Sequence, residues 1–146
     1  MQGSALRFNR EVLIGELGAL VLANGSAPVV SHFTRDASVI SGIAVAATLA
    51  GGGLSWLAAR VYDRVRDRAY STKTIASDVG YFMPAATVLG FVLYDPTIFL
   101  VSRHLLLHGT GVRASVLLGQ AAAFALFLAA INGYRVVLLR LRGKAL

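Results

Sequence analysis

The residues of this chain that could do chemistry are carboxylates and amides placed inside long apolar stretches. Glu16 lies within one such stretch, and Asp95 interrupts another, FVLYDPTIFLVS. An ionisable side chain inside a membrane-spanning segment is expensive to insert and is by default a functional candidate. Five polar residues therefore qualify as candidates for binding a substrate or a proton: Glu16, Asn24, Asp95, Gln120 and Asn132.

Three of these candidates share one depth if the apolar stretches cross a membrane as antiparallel helices. Asn24, Asp95 and Gln120 each lie about six or seven residues from the end of a stretch, which at about 1.5 Å per residue puts them at one height. Glu16 and Asn132 correspond in the same way nearer the opposite face. We expect polar contacts between spans at both levels. The alternative is that the amides only join helices, each hydrogen bond contributing about 0.6–2 kcal/mol.

Other chemical motifs are weak or missing. His104 and His108 are four residues apart, a spacing that can place two ligands on one helical face, but the two are only weak candidates for a metal site. The chain has no cysteine, and its run AGGGLSW lacks the lysine of a phosphate-binding loop. It also carries no serine-nucleophile motif. We therefore expect neither a metal nor another cofactor, and no enzymatic activity.

The elements that must position these residues are membrane-spanning helices. Of the 146 residues, 56 % are hydrophobic and only 14 % are charged, whereas about 25 % of a soluble domain is charged. A span needs about 20 mainly apolar residues. Four stretches meet this condition, and they predict an all-α, polytopic membrane protein, a bundle of four transmembrane helices that forms a single integral membrane domain over residues 1–146: 12–31, 39–59, 79–101 and 114–134.

The pair Asp95-Pro96 predicts a break or kink in the third span. An aspartate followed by a proline fits a helix start, with Asp95 as the N-cap and Pro96 at the first helical position. Residues 78–108 as one straight helix would also measure about 46 Å, more than the apolar core of a bilayer at about 30 Å. Asp95 is thus either helix punctuation or a group kept in the membrane to bind a ligand or a proton, and both interpretations stay open.

The distribution of basic residues predicts the orientation of the chain. The formal charge is +7, and all but three of the 14 Lys and Arg residues lie before span one, between spans two and three, or after span four. The positive-inside bias then places both termini in the cytoplasm, so the charge indicates topology and not a nucleic-acid partner. The richness in Ala, Gly and Arg is typical of a prokaryote, which makes the cytoplasmic (inner) membrane the expected location. The three exceptions are Arg35, Arg103 and Arg113.

Small residues within the spans predict close helix contacts. Gly51, Gly52 and Gly53 are consecutive near the middle of span two, and Ala129 and Gly133 are four residues apart in span four. Small side chains let helix backbones approach where lipid provides little hydrophobic drive for association. Aromatic residues near the predicted cytoplasmic ends are expected as interfacial anchors, namely Trp56, Tyr62, Tyr81 and Tyr134.

These features favour a small transporter or exporter of a small solute. In layout the chain resembles the small multidrug resistance proteins, four-span exporters that carry a membrane glutamate in their first helix. That resemblance implies that Glu16 exchanges a proton for the substrate, and Asp95 and Gln120 would contact the solute. One protomer encloses little volume, so we expect a homodimer in the lipid bilayer. The alternative is a non-catalytic accessory or scaffold subunit of a larger membrane complex.

Overall fold

The computed structural model describes residues 2–67 and 71–142, and over those ranges its regular elements are all helices. Four of the helical stretches are long and apolar enough to cross a membrane, so the chain is a multi-pass membrane protein by length and composition. The prediction of an all-helical chain with four helices of membrane-spanning length is confirmed over the described residues. The helices are α1 (Gln2–Ser31), α2 (Ala37–Arg66), α3 (Thr72–Leu89), a π-helical turn (Gly90–Tyr94), α4 (Asp95–Leu107) and α5 (Val112–Arg142).

Short, well-capped turns join the helices at one end of the bundle, here called the connection end (residues 32–36 and 108–111). The Asp36 side chain caps α2 by accepting from the backbone N–H groups of Ser38 and Val39. Gly109 ends α4 with a φ of +82°, a conformation that favours glycine. The N–H groups of Gly109 and Thr110 bond back to the carbonyls of Leu106 and Leu105, which satisfies carbonyls at the end of the helix. The opposite end, where α1 begins and α5 ends, is called the terminal end.

The third span changes helix type just before Asp95-Pro96. The N–H of Asp95 bonds to the carbonyl of Gly90, and the α-helix then continues to Leu107. Asp95 itself has helical angles, φ −64° and ψ −46°, so the prediction that it caps a new helix is wrong. The reason is that Pro96 can neither donate to the carbonyl of Val92 nor pack against it without a clash, and one wider π turn absorbs both effects without ending the helix.

Helices α1 and α2 cross in backbone contact. A Cβ atom built on Gly18 would lie 2.6 Å from the carbonyl oxygen of Gly51, and one built on Gly51 would lie 2.8 Å from the carbonyl carbon of Gly18. Both distances are too short for a side chain, so this crossing requires glycine on both helices. Gly119 allows α5 to approach α4 in the same way but less closely, since a Cβ atom built on it would lie 3.2 Å from the carbonyl oxygen of Ile98.

The core changes character along the bundle. Towards the connection end it is built from alanines and small aliphatic residues that are almost fully buried, among them Ala23, Ala27, Ala44 and Val116. Towards the terminal end it is built from larger side chains, among them Phe8, Trp56, Phe82, Ile131 and Leu138. Small side chains hold the helices close, whereas large ones separate them. The room inside the bundle therefore lies in its middle and towards the terminal end.

Candidate functional site

Glu16 is held inside the bundle by a tyrosine from the π turn. It is 9 % exposed, and its Oε2 accepts a hydrogen bond of 2.6 Å from the hydroxyl of Tyr94, which is also buried. Tyr94 is the last residue of the π turn, so the same local geometry that accommodates Pro96 also sets the position of this hydroxyl. None of the ion pairs found in the described residues involves Glu16. The carboxyl group thus has a neutral partner and no neutralising cation.

Glu16 and Tyr94 line a cavity between α1, α2 and the third span. Its volume is about 170 Å³, and two threonines, Thr48 and Thr87, also belong to its wall. The rest of the wall is apolar, made mainly by Val12, Ala19, Trp56, Phe82, Met83 and Phe127 together with glycines. A dry cavity of about 150 Å³ can hold one benzene molecule. The space therefore suits an apolar group of roughly that size beside a single carboxyl group.

An aromatic cluster closes the terminal end of this cavity. The ring of Phe82 stacks on Trp56 at a centroid distance of 4.2 Å and meets Phe8 edge-on at 5.8 Å. Trp56 is buried, so the expectation that it anchors the protein at the membrane interface is wrong. Tyr62, six residues further along the same helix, is exposed, as an interfacial residue should be.

Asn24 and Gln120 meet, but they do not line the cavity. The side-chain amide of Asn24 donates to Oε1 of Gln120 at 2.8 Å and to the carbonyl of Leu20 at 3.1 Å. The shared depth expected from the sequence therefore produces a direct contact between α1 and α5. Neither residue belongs to the cavity wall. This geometry is that of an interhelical hydrogen bond, the alternative that the sequence left open.

Asp95 and Asn132 do not join the contacts that the sequence predicted for them. Asp95 is buried, and its two carboxyl oxygens have no hydrogen-bond partner among the described residues, so it does not bond to Asn24 or Gln120. Asn132 donates to the carbonyl of Leu128 in its own helix and not to Glu16. The expected polar layer therefore reduces to one amide pair, because Asp95 has no hydrogen-bond partner among the described residues and Asn132 bonds within its own helix.

Asp95 nevertheless faces the interior of the bundle. It shares the inward face of α4 with Ile98 and Ser102, which follow at helical spacing and are fully buried. The hydroxyl of Ser102 lies 3.0 Å from that of Ser41, which fixes this face of α4 against α2. Asp95 follows Tyr94 directly in the chain but lies outside the cavity wall.

A buried ion pair between α1 and α2 escaped the sequence analysis. Arg60 donates to Oε2 of Glu11 at 2.7 Å, and both side chains are almost fully buried. Arg10 pairs with Asp63 and Arg7 with Asp67, so the pairs continue towards the terminal end. From the sequence, these arginines predict the topology, and their pairing with acids on the other helix was not anticipated. The available signal was the spacing, since charges at three- and four-residue intervals on two antiparallel helices can face each other. The three ion pairs together involve six residues: Arg7, Arg10, Glu11, Arg60, Asp63 and Asp67.

The two weak metal candidates contact each other at the connection end. The rings of His104 and His108 lie 4.2 Å apart, and Nδ1 of His108 lies 2.8 Å from the carbonyl oxygen of His104. Both are exposed. Within the described part of the chain, no group of three or more His, Asp or Glu side chains is arranged to hold a metal ion.

Comparison with known proteins adds no relative to this description. The chain matches no protein-family model, no curated protein and no solved structure.

Proposed function

We propose that this protein is a small transporter or exporter of the prokaryotic cytoplasmic (inner) membrane that carries a small organic cation in exchange for a proton. The observation that supports the proposal is the placement of Glu16, the single carboxyl group in the wall of a mainly apolar cavity of about 170 Å³. The substrate class follows from that wall. A substrate that fits this wall has an apolar body of about the size of benzene and one positive charge that approaches the carboxylate.

The exchange follows from the cost of leaving a charge buried without a partner. In an apolar cavity, a carboxylate is stable only when something neutralises it, and here that is either a proton or the cation of the substrate. The two therefore compete for Glu16, and the arrival of one releases the other. Tyr94 holds the carboxyl group towards the cavity in both states by donating to Oε2. With both termini in the cytoplasm, the terminal end faces inward.

The proposal is tested by proton release on binding. Benzyltrimethylammonium has a permanent charge and a benzene-sized body, so any proton released when it binds comes from the protein. It is added to purified protein in weakly buffered detergent solution containing a pH indicator. We expect release from the wild type and none from Glu16→Gln. Asp95→Asn removes the other buried carboxyl group that has no charged partner among the described residues, without touching the cavity wall, and it is expected to release as the wild type does.

Two further results would contradict the proposal. Neopentylbenzene is the neutral analogue of the same shape, and equal proton release with it would show that charge is not recognised. Absence of release in the wild type would argue against exchange at Glu16.

The second candidate is a non-catalytic accessory or scaffold subunit of a larger membrane complex, and one observation favours it. Ala125, Ala129 and Gly133 lie at four-residue intervals on α5 and are all exposed, so none of the described helices packs on this stripe. Small residues on a lipid-facing surface suit a second helix, from another copy of the chain or from another subunit. This role needs no proton exchange, and wild-type protein without proton release would support it.

A further inference from the structure

The outer wall of the cavity is formed by residues on the membrane-facing surface of the bundle. Leu49 and Gly53 contribute from α2, and Met83 and Thr87 contribute from α3. Leu49 is 47 % exposed and Met83 is 38 % exposed, although both line the cavity. A residue that is both a wall of the cavity and a large part of the outer surface lies at an opening. The cavity therefore opens sideways, between α2 and α3, at a height where lipid chains surround the protein.

The space around two glycines of the cavity wall is empty. A Cβ atom built on Gly53 would meet no atom within 4 Å, and the same holds for Gly90 in the π turn. Both glycines line the cavity. The side chain of Phe82 provides the ring contacts of α3 with Trp56 on α2 and Phe8 on α1, and these lie towards the terminal end. Beyond them the two helices leave a gap.

The routes to water at the two ends are closed in this conformation. At the terminal end, the Phe8–Phe82–Trp56 cluster closes the cavity, and the Glu11–Arg60 ion pair lies beside it on the same two helices. Towards the connection end, buried alanines and the Asn24–Gln120 hydrogen bond fill the space between the helices. Within the described part of the chain, the side opening is thus the route into the cavity that packing leaves free.

We propose that the cavity is loaded from the bilayer through the gap between α2 and α3, and that its substrates are amphiphilic amines already dissolved in the membrane. This inference rests on the proposed function for the carboxyl group that receives the amine. The gap also removes the size limit set by the cavity itself. A benzene-sized part of the substrate and its cation enter, while a longer apolar tail stays among the lipid chains.

Trp56 provides a direct test because it is the only tryptophan, lines the cavity and is otherwise buried. The purified protein is placed in nanodiscs of phosphatidylcholine that carries bromine at the middle of its acyl chains, since bromine quenches indole fluorescence at short range. We expect Trp56 to be quenched in the wild type. Gly53→Leu fills the opening, so most of that quenching should be lost.

The matched control is Gly42→Leu, the same substitution on the same helix at a glycine whose Cβ also meets nothing within 4 Å and which does not line the cavity. It should keep the wild-type quenching. Thr87→Leu narrows the gap from α3 and gives a second reading if Gly53→Leu fails to fold. Helix content by circular dichroism identifies the folded variants.

Lateral entry is overturned if bromine leaves wild-type Trp56 unquenched, or if Gly42→Leu loses as much quenching as Gly53→Leu. Both results are independent of Glu16. Proton release on adding benzyltrimethylammonium in detergent measures the proposed exchange in the absence of a bilayer. Release without bromine quenching would leave the proposed function intact and refute only the lateral route. Quenching without release would refute the proposed exchange and leave the lateral opening intact.

Discussion

At the scale of single residues, the charged groups divide into those that are neutralised by another charge and those that are not. Glu11 belongs to the first class, since it pairs with Arg60 in the interior. Glu16 and Asp95 belong to the second, with a tyrosine hydroxyl and no partner, respectively, among the described residues. Buried charges without a counter-charge are costly, and their persistence inside a membrane points to function more strongly than a paired charge does.

The first class predicts a stability difference. Glu11→Gln removes one member of a buried ion pair and leaves the positive charge of Arg60 less neutralised, which should lower the free energy of unfolding by about 3–5 kcal/mol. Arg7→Gln breaks the pair with Asp67, but both side chains there are well exposed, so we expect a loss of only about 0–1 kcal/mol. Thermal unfolding of both variants in one detergent measures the difference. Equal losses would show that the inner pair contributes no more than a surface pair.

Residue identity alone could nominate Glu16 but could not say what surrounds it. An acidic residue in an apolar run is visible in the sequence, and its burial is the expected consequence. Its hydrogen-bond partner is not visible in the sequence, because Tyr94 lies 78 positions away along the chain. The Asn24–Gln120 contact was within reach, since depth follows from counting residues. Asp95 fails to meet that pair because depth does not determine the direction in which a side chain leaves its helix.

At the scale of elements, the helices follow from apolar length, and their irregularity does not. Asp95-Pro96 has the residue types of a helix start, yet the helix runs on through a π turn. Local preference and tertiary burial favour different outcomes here, because a helix end inside a bilayer would leave backbone groups without partners. The extension of α2 to Arg66 is also stabilised by tertiary contacts, since its charged last turns pair with α1.

The α1–α2 crossing allows a prediction about elements. In Gly51→Ala the added methyl group would lie 2.8 Å from the carbonyl carbon of Gly18, so the helix backbones must separate. We expect a loss of about 1–3 kcal/mol, the usual cost of overpacking. Gly42→Ala is the matched control on the same helix, because its Cβ meets nothing within 4 Å. Chemical unfolding of both variants in mixed micelles measures the losses. A control variant as unstable as Gly51→Ala would mean that the loss does not come from the crossing.

At the scale of the whole molecule, the bundle is asymmetric from end to end. The connection end is narrow, built on small residues, while the terminal end is wide, aromatic and rich in charge pairs. Composition predicts the number of spans and the concentration of charge at one end. It does not predict the cavity, because a cavity depends on how far α3 stands from α2, and that distance is set by the ring of Phe82 against Trp56.

This asymmetry predicts one orientation in the membrane. Because the connection end carries only three of the 14 Lys and Arg residues, the positive-inside bias should place it outside the cytoplasm in every copy. The chain has no cysteine, so single cysteines report topology without background. Thr34→Cys marks the connection end, and Ser71→Cys marks the opposite end, before α3. In intact bacterial cells a membrane-impermeant maleimide should label Thr34→Cys and leave Ser71→Cys unlabelled until the membrane is permeabilised. Labelling of both in intact cells would reveal two orientations, and the exchange proposed at Glu16 would then have no fixed direction.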